Sequence, residues 1–242
     1  MSVQKDIIHR LQQEIFQLQG TRPPAPGQAE LYLGPINEAF PNNRFPTGAV
    51  HEFIAPSVTD EAATAGFTAG LLSGLMRSGS VCIWISATRK IYPPGLTIFG
   101  IAPDRIIFMD MRTEKEVQWV MEEALKCEGL GAVVGEMRQL DMTTSRRYQL
   151  AVEQSRVTGL VIRQQPRQLH PNAAVARWHI THLPGWIKSD MPGVGFPRWN
   201  IELSRIRNGH PGSWEVGWQA GRFHFGTAKI RMQGNILQKK TG

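Results

Sequence analysis

The chain has 242 residues, 41% of them hydrophobic and 19% charged, which suits a folded core and excludes an extended disordered protein. Cys82 and Cys127 are the only cysteines, so neither a disulfide scaffold nor a cysteine-rich zinc site is expected, and no apolar run approaches the ~20 residues of a membrane span; the expected compartment is the cytoplasm, with no membrane partner. The net charge of +7 is unevenly placed: residues 1–137 hold 11 Lys/Arg against 15 Asp/Glu, residues 138–190 eight against three, and residues 203–242 seven against Glu215 alone, which points the second half toward a polyanion or an acidic partner.

Along the chain, Val3, Ile7, Leu11, Ile15 and Leu18 recur every three or four residues, the period of an amphipathic helix over residues 1–20. Gly20 and the Pro/Gly-rich run from Pro23 end it, predicting a linker over 21–46. Its apolar stripe, with Ile7, Leu11 and Ile15, needs a partner surface, on the chain's own core or on another protein. From residue 49 strands and helices alternate. Val50–Ile54 reads as a strand, 61–76 as a helix with Gly66, Gly70 and Gly74 on one stripe, and Ser80–Ser86 and Arg105–Met109 as strands. Glu114–Lys126 reads as a helix, Gly131–Val134 as a strand, Thr143–Gln154 as a helix and Thr158–Ile162 as a strand. Val175–His182, Trp199–Ile206 and Ser213–Gln219 then alternate in an antiparallel manner, and Thr227–Gly242 forms a basic tail. Repeated strand–helix units imply an α/β fold with a mainly parallel sheet flanked by helices. The pattern assigns residues 47–226 to that core and 227–242 to the tail.

In such a sheet ligands sit beyond the carboxyl ends of the strands, and the loop after the first core strand is the place for a phosphate cradle. The segment Glu52-Phe-Ile-Ala55-Pro56-Ser-Val-Thr59-Asp60-Glu61-Ala62-Ala63 has that place and length without the glycines, lysine and Ser/Thr a cradle needs. Acids in the first turn of a helix also suit its dipole. His179 and His182, three apart on a strand, face opposite sides, and no metal site is expected.

Phe45-Pro-Thr-Gly48-Ala-Val-His-Glu52-Phe-Ile-Ala55-Pro56 resembles the entry to the phosphate loop of the RecA recombinases. Ile91-Tyr92-Pro93-Pro94 with Phe99–Asp104, Pro171–Ala174 and Ile201–Arg207 resemble later RecA segments. A narrower likeness is carried by Trp84–Lys90, Gly131–Glu136, Pro197–Leu203, Arg207-x-Gly209-x-Pro211-Gly212-Ser213-Trp214 and the N-terminal helix. On these the chain resembles the ImuA family, RecA-like accessory proteins of a bacterial mutagenic translesion-synthesis cassette. Residues 80–163 also resemble the SulA division inhibitors.

The resemblance implies a RecA-like fold with an antiparallel C-terminal extension. Residue by residue it places Ala55 at the first loop glycine, Asp60 at the second, Glu61 at the lysine and Ala62 at the magnesium-binding hydroxyl; Gly135 and Glu136 stand where a magnesium-associated Asp follows its strand. A carboxylate at the lysine position repels phosphates, so no ATPase activity and no cofactor are expected. The resemblance places Arg138, Arg146 and Arg147 near the first DNA loop and Arg163, Gln164 and Arg167 in the second, implying weak, non-specific DNA contact. It places Arg205 and Arg207 where RecA lysines reach across a filament interface, implying contact here with an acidic partner surface or a DNA backbone, while a RecA-like N-terminal helix serves a neighbour, so that filaments, dimers and heteromers all remain open. The implied role is a nucleoid-associated SOS adaptor that binds an ImuB-type polymerase-like protein and an error-prone polymerase, with RecA as a further candidate partner. The alternatives are a SulA-like protein binding FtsZ and a divergent ATPase.

Overall fold

The computed structural model describes residues 31–76, 79–186 and 195–226. The expected N-terminal helix with Ile7, Leu11 and Ile15, the first ten residues of the expected linker and the basic tail lie outside the described residues.

Nine strands form one sheet in the order β3-β2-β4-β5-β1-β6-β7-β8-β9. They are β1 Val50–Ala55, β2 Val81–Ser86, β3 Ile106–Asp110, β4 Leu130–Met137, β5 Thr158–Gln164, β6 Ala176–Trp186, β7 Phe196–Ile206, β8 Gly212–Gln219 and β9 Arg222–Phe225. Strands β3 to β6 in that order pair in parallel, and β7, β8 and β9 continue the sheet antiparallel. Thus β6, expected antiparallel, has a parallel partner in β1 and an antiparallel one in β7. The short strand β9 was not expected.

Helix α1, Val58–Leu75, covers one face, chiefly over β6, β1, β5 and β7; α2, Glu114–Leu125, and α3, Met142–Ser155, cover the other over β2, β4, β5 and β1. Strand alternation divides β1 accordingly. Phe53 enters the core under α1 and Val50 the core under α2 and α3. The glycine stripe of α1 is what lets it approach the sheet. A methyl group at Gly66 would meet Trp199 at 3.2 Å, and one at Gly70 would meet the Phe223 ring at 2.5 Å. Helix α2 opens with a capping box in which Thr113 Oγ1 accepts from Glu116 N–H and the Glu116 carboxylate accepts from Thr113 N–H.

The expected linker needs correction over residues 31–46. Two short 3-10 turns there bury Leu33, Ile36, Ala39, Phe40 and Phe45 in the core beneath α1. Proline and glycine shape these turns, and the apolar residues between them hold the segment to the sheet by burial.

His51 of β1 joins this segment to the core. Its ring is fully buried and stacks on Phe45 with centroids 4.3 Å apart. Trp178 Nε1–H points at its Nδ1 (3.4 Å), so Nε2 carries the proton and donates to the Pro46 carbonyl (2.7 Å). A second ring proton would face the indole N–H. Burial, partly offset by the Pro46 carbonyl, pushes the His51 pKa down from 6.5 to about 4. A base whose folded pKa is depressed binds fewer protons folded than unfolded, so stability falls as pH drops through that window. Urea denaturation is expected to show a decline from pH 6.5 to about 4 that His51→Phe flattens; a variant with the same slope assigns the effect elsewhere.

Candidate functional site

The carboxyl ends of β1, β2, β4, β5 and β6 meet at the start of α1, where a phosphate loop would lie. Only Pro56 and Ser57 separate β1 from α1. The helix begins at Val58, three residues before the sequence pattern placed it, so Val58, Thr59 and Asp60 form helix rather than a loop. Such a two-residue connection has no room for backbone N–H groups to wrap a phosphate, unlike the Gly-rich loops that do so. The segment has the expected place, but its length is taken up by helix.

The two acids of that first turn hold its surroundings together. Asp60 is buried; its Oδ1 accepts from the backbone N–H of His182 (2.9 Å) and contacts His182 Nδ1 (2.8 Å), while Ser57 Oγ donates to Oδ2. Burial pushes the Asp60 pKa up, and the bonds from Ser57 and His182 outweigh it, leaving the carboxyl below its ordinary value. Asp60 thereby ties α1 to β6. Glu61 Oε2 accepts from Lys90 Nζ (2.7 Å) and its Oε1 from Gln165 Nε2 (2.6 Å). Glu61, which the resemblance places at the lysine position of a phosphate loop, is thus held by an ammonium from the loop after β2. Ala62 presents no ligand atom, and Ala55 ends β1 fully buried.

Gly135 and Glu136 lie within β4, which runs on to Met137 beyond its expected end. Gly135 passes Met121 of α2 so closely that a methyl group there would clash with the thioether. Glu136 is buried; Trp84 Nε1–H donates to its Oε1 (2.7 Å), and Ser86 Oγ (3.0 Å) and Gln164 Nε2 (2.8 Å) donate to its Oε2. Burial raises its pKa above the usual carboxylate value, opposed by the Trp84 and Ser86 bonds, with the Glu61 charge raising it further. With three protein donors, Glu136 fits the role of a buried acceptor. Among the described residues no group of three or more His, Cys, Asp and Glu is placed to hold a metal ion. A cavity of about 700 Å³ opens beside these groups, with Glu61, Lys90, Glu136 and Gln164 at its polar end.

On the opposite side of the same sheet end, the expected DNA-binding loops need a larger correction. Arg163 and Gln164 belong to β5 and are buried. Arg163 Nη1 donates to Glu52 Oε1 (2.6 Å), and Arg177 Nε donates to Glu52 Oε2 (2.6 Å). Glu52 itself is 0% exposed. The remaining guanidinium N–H groups reach into the loops. Arg163 Nε donates to the Arg138 carbonyl (2.7 Å), and Arg177 Nη2 to the His170 carbonyl (2.7 Å). Arg205 donates to the carbonyls of Asn172 (3.1 Å) and Ala174 (3.0 Å), and Arg207 to that of Ala173 (3.3 Å). Thus Arg163, Arg205 and Arg207, expected as contacts for DNA or a partner, hold the backbone of residues 138 and 172–174. The outward groups are Arg138, Arg146 and Arg167, which are exposed, and Arg147, whose Nε pairs with Glu122 (3.3 Å). Glu52, Lys90 and Arg177 were not singled out from the sequence, and His182 was weighed there only as a metal ligand. Glu52 had a signal, a charged residue in an otherwise apolar strand, since a charge there requires a partner.

A nine-stranded sheet parallel in its first part, helices on both faces and a strand–helix junction at the phosphate-loop position define a RecA-like core. The fold is similar to the crystal structure of the RadB recombinase, with a TM-score of 0.50 and 15% identity over 73% of this chain and 90% of that one. The chain is 35% identical over 209 residues to Protein ImuA of Caulobacter vibrioides (strain NA1000 / CB15N), spanning 81% of this chain and 84% of the relative. Protein ImuA of strain ATCC 19089 / CIP 103742 / CB 15 matches to the same extent. The chain belongs to the ImuA family. No family model matches it. Among the described residues no helix is long and apolar enough to cross a membrane.

Removing the Glu52 carboxylate leaves two guanidinium groups facing each other without a counter-charge. Glu52→Ala is expected to cost about 3–5 kcal/mol in urea denaturation. It should also accelerate amide exchange across residues 165–175 more than in β2 and β4; uniform acceleration would mean that the acid serves the sheet alone.

Proposed function

We propose that this chain is a non-catalytic RecA-like adaptor of the SOS DNA-damage response. It supports error-prone translesion synthesis by joining an ImuB-type polymerase-like protein and an error-prone polymerase to the damaged template, with RecA as a further candidate partner. Membership of the ImuA family supports the setting. The non-catalytic part rests on one observation: Glu61, which the resemblance sets at the phosphate-binding lysine, is bonded to Lys90 and Gln165 in a helix that starts two residues after β1. Two further features agree with it, the missing hydroxyl at Ala62 and the three donors on Glu136.

DNA contact in this reading is electrostatic. Arg138 and Arg167 project from two loops whose backbones are fixed from behind, and Arg146 from α3, which suits sequence-independent contact to phosphates.

Co-purification from DNA-damaged cells is expected to recover the ImuB-type protein; recovery of FtsZ in its place would overturn the adaptor role. The pure protein is expected to show no magnesium-dependent ATP turnover. Turnover that Glu61→Gln abolishes would make the chain a divergent ATPase.

The DNA surface has its own test. Replacing Arg146 and Arg167 together with alanine is expected to lower the slope of log affinity against log salt by about two. An unchanged slope would remove these two arginines from the DNA interface.

A further inference from the structure

The two edges of the sheet are finished differently. At one end β9 is four residues long, and the first 3-10 turn packs on it. At the other end β3, Ile106-Ile-Phe-Met-Asp110, pairs with β2, and among the described residues no strand joins its outer side. It has no proline, no lysine and no bulge, the devices that commonly blunt an edge. Helix α2 packs chiefly over β4 and β2, further in. On the α2 face Ile107 is 51% exposed, beside the partly buried Met109.

The backbone of β3 fixes how a further strand can join. Met111 N–H donates to the Ser86 carbonyl of β2 (2.9 Å), so by alternation Met109 and Ile107 also turn their backbone groups toward β2. Ile106, Phe108 and Asp110 turn theirs outward. Two copies set antiparallel about a two-fold axis at Phe108 bring these outward groups face to face. Phe108 then meets the partner subunit's Phe108, and Ile106 meets the partner subunit's Asp110, each pair exchanging two backbone bonds. This register pairs all five residues of the strand, whereas a centre at Ile107 or Met109 leaves two of the five unpaired. It also sets Ile107 against the partner subunit's Met109, an apolar pair made twice. Beyond the strand ends it turns Asp104 toward the partner subunit's Arg112, an acid toward a base, where a centre at Ile107 would turn it toward the partner subunit's Asp110.

The chain's own segments outside the described residues do not fit this edge. Residues 187–194 are tied at both ends, to β6 and β7, and β6 lies five strand spacings, about 24 Å, from β3; eight residues reaching out and back cover about 15 Å. Residues 227–242 leave from β9, eight spacings or about 38 Å away, and their last apolar residue, Leu237, reaches about 36 Å at full stretch in a straight line. Pro23, Pro24 and Pro26 of the segment 21–30 cannot donate to a ladder. Residues 1–20 carry the period of a helix, whose backbone groups bond within it. A second copy of the chain meets none of these obstacles.

We propose that β3 is a dimer interface, at which two copies of this chain pair antiparallel about Phe108 and continue the sheet across a two-fold axis. Strands this short make the association weak and concentration-dependent.

Sedimentation equilibrium of the full chain at rising concentration is expected to show monomer and dimer, and Ile107→Lys to weaken the association about tenfold or more. Ile107 is half exposed, so the change leaves the fold intact, which an unchanged urea midpoint checks. The register is read in a Cys127→Ser background, because Cys127 is exposed and Cys82 buried. Chains carrying Ile107→Cys are mixed with chains carrying Met109→Cys and oxidised. Facing Cα atoms in such a pair lie about 4.5 Å apart, within disulfide reach, so disulfides joining one variant to the other are expected. A chain that stays monomeric, a dimer indifferent to Ile107→Lys, or disulfides formed mainly within one variant would each overturn the proposal.

Discussion

The end of the sheet is organised around one buried carboxylate. Glu52 lies on the parallel strand at the centre of the fold, where an unpaired charge would cost several kcal/mol. Two arginines meet it, from β5 and β6, so that three neighbouring strands share one ion triad. Each arginine has N–H groups left over, and these turn outward to loop carbonyls. The planar guanidinium suits such a bridge, because it can satisfy an acid with one edge and a backbone with another. Arg205 lies directly across from Arg177 on β7, a like-charge pairing that would weaken the strands by itself. Its bonds to Asn172 and Ala174 give its charge a role, and with Arg207 it fixes the far end of the same loop. A loop held by its carbonyls from beneath presents side chains to solvent in a fixed arrangement.

The same logic, with opposite charges, governs the other side. A phosphate loop works by leaving backbone N–H groups open for an anion. Here the helix reaches back almost to the strand, and the chain supplies its own anions, Asp60 and Glu61, in the first turn, where the helix dipole favours them. Their partners come from β6, from the loop after β2 and from the residue after β5. At the place of a phosphate cradle stands a set of internal tethers.

Much of this architecture was legible in the sequence. The alternation from Val50 to Ile162 predicted the parallel sheet, because buried parallel strands and intervening amphipathic helices leave strong periodic signals. The stripe of Gly66, Gly70 and Gly74 correctly indicated a helix lying close on the sheet. That Ala55, Asp60, Glu61 and Ala62 lack the groups of a phosphate loop was readable from residue type once the resemblance had placed the loop. What residue type could not give was direction. An arginine after a strand reads as a solvated loop cation, and only the register of β5 shows that Arg163 points inward at Glu52. The same ambiguity hid the core role of residues 31–46, where prolines and glycines suggested a linker although Leu33, Ile36, Phe40 and Phe45 carry the energetics. Tertiary partners distant in sequence, such as Asp60 with His182, leave no local pattern at all.

The two sides of the sheet end differ in what they can exchange. On the arginine side the interior charges are matched by fixed backbone groups, and the outer arginines are left to solvent and mobile counterions, which any polyanion can displace. On the α1 side the Glu61–Lys90 pair joins an acid sheltered from water to a half-exposed ammonium beside an apolar cavity. The water that still reaches Lys90 screens this pair, so it tethers the first turn of α1 less firmly than the enclosed Glu52 triad holds the opposite side.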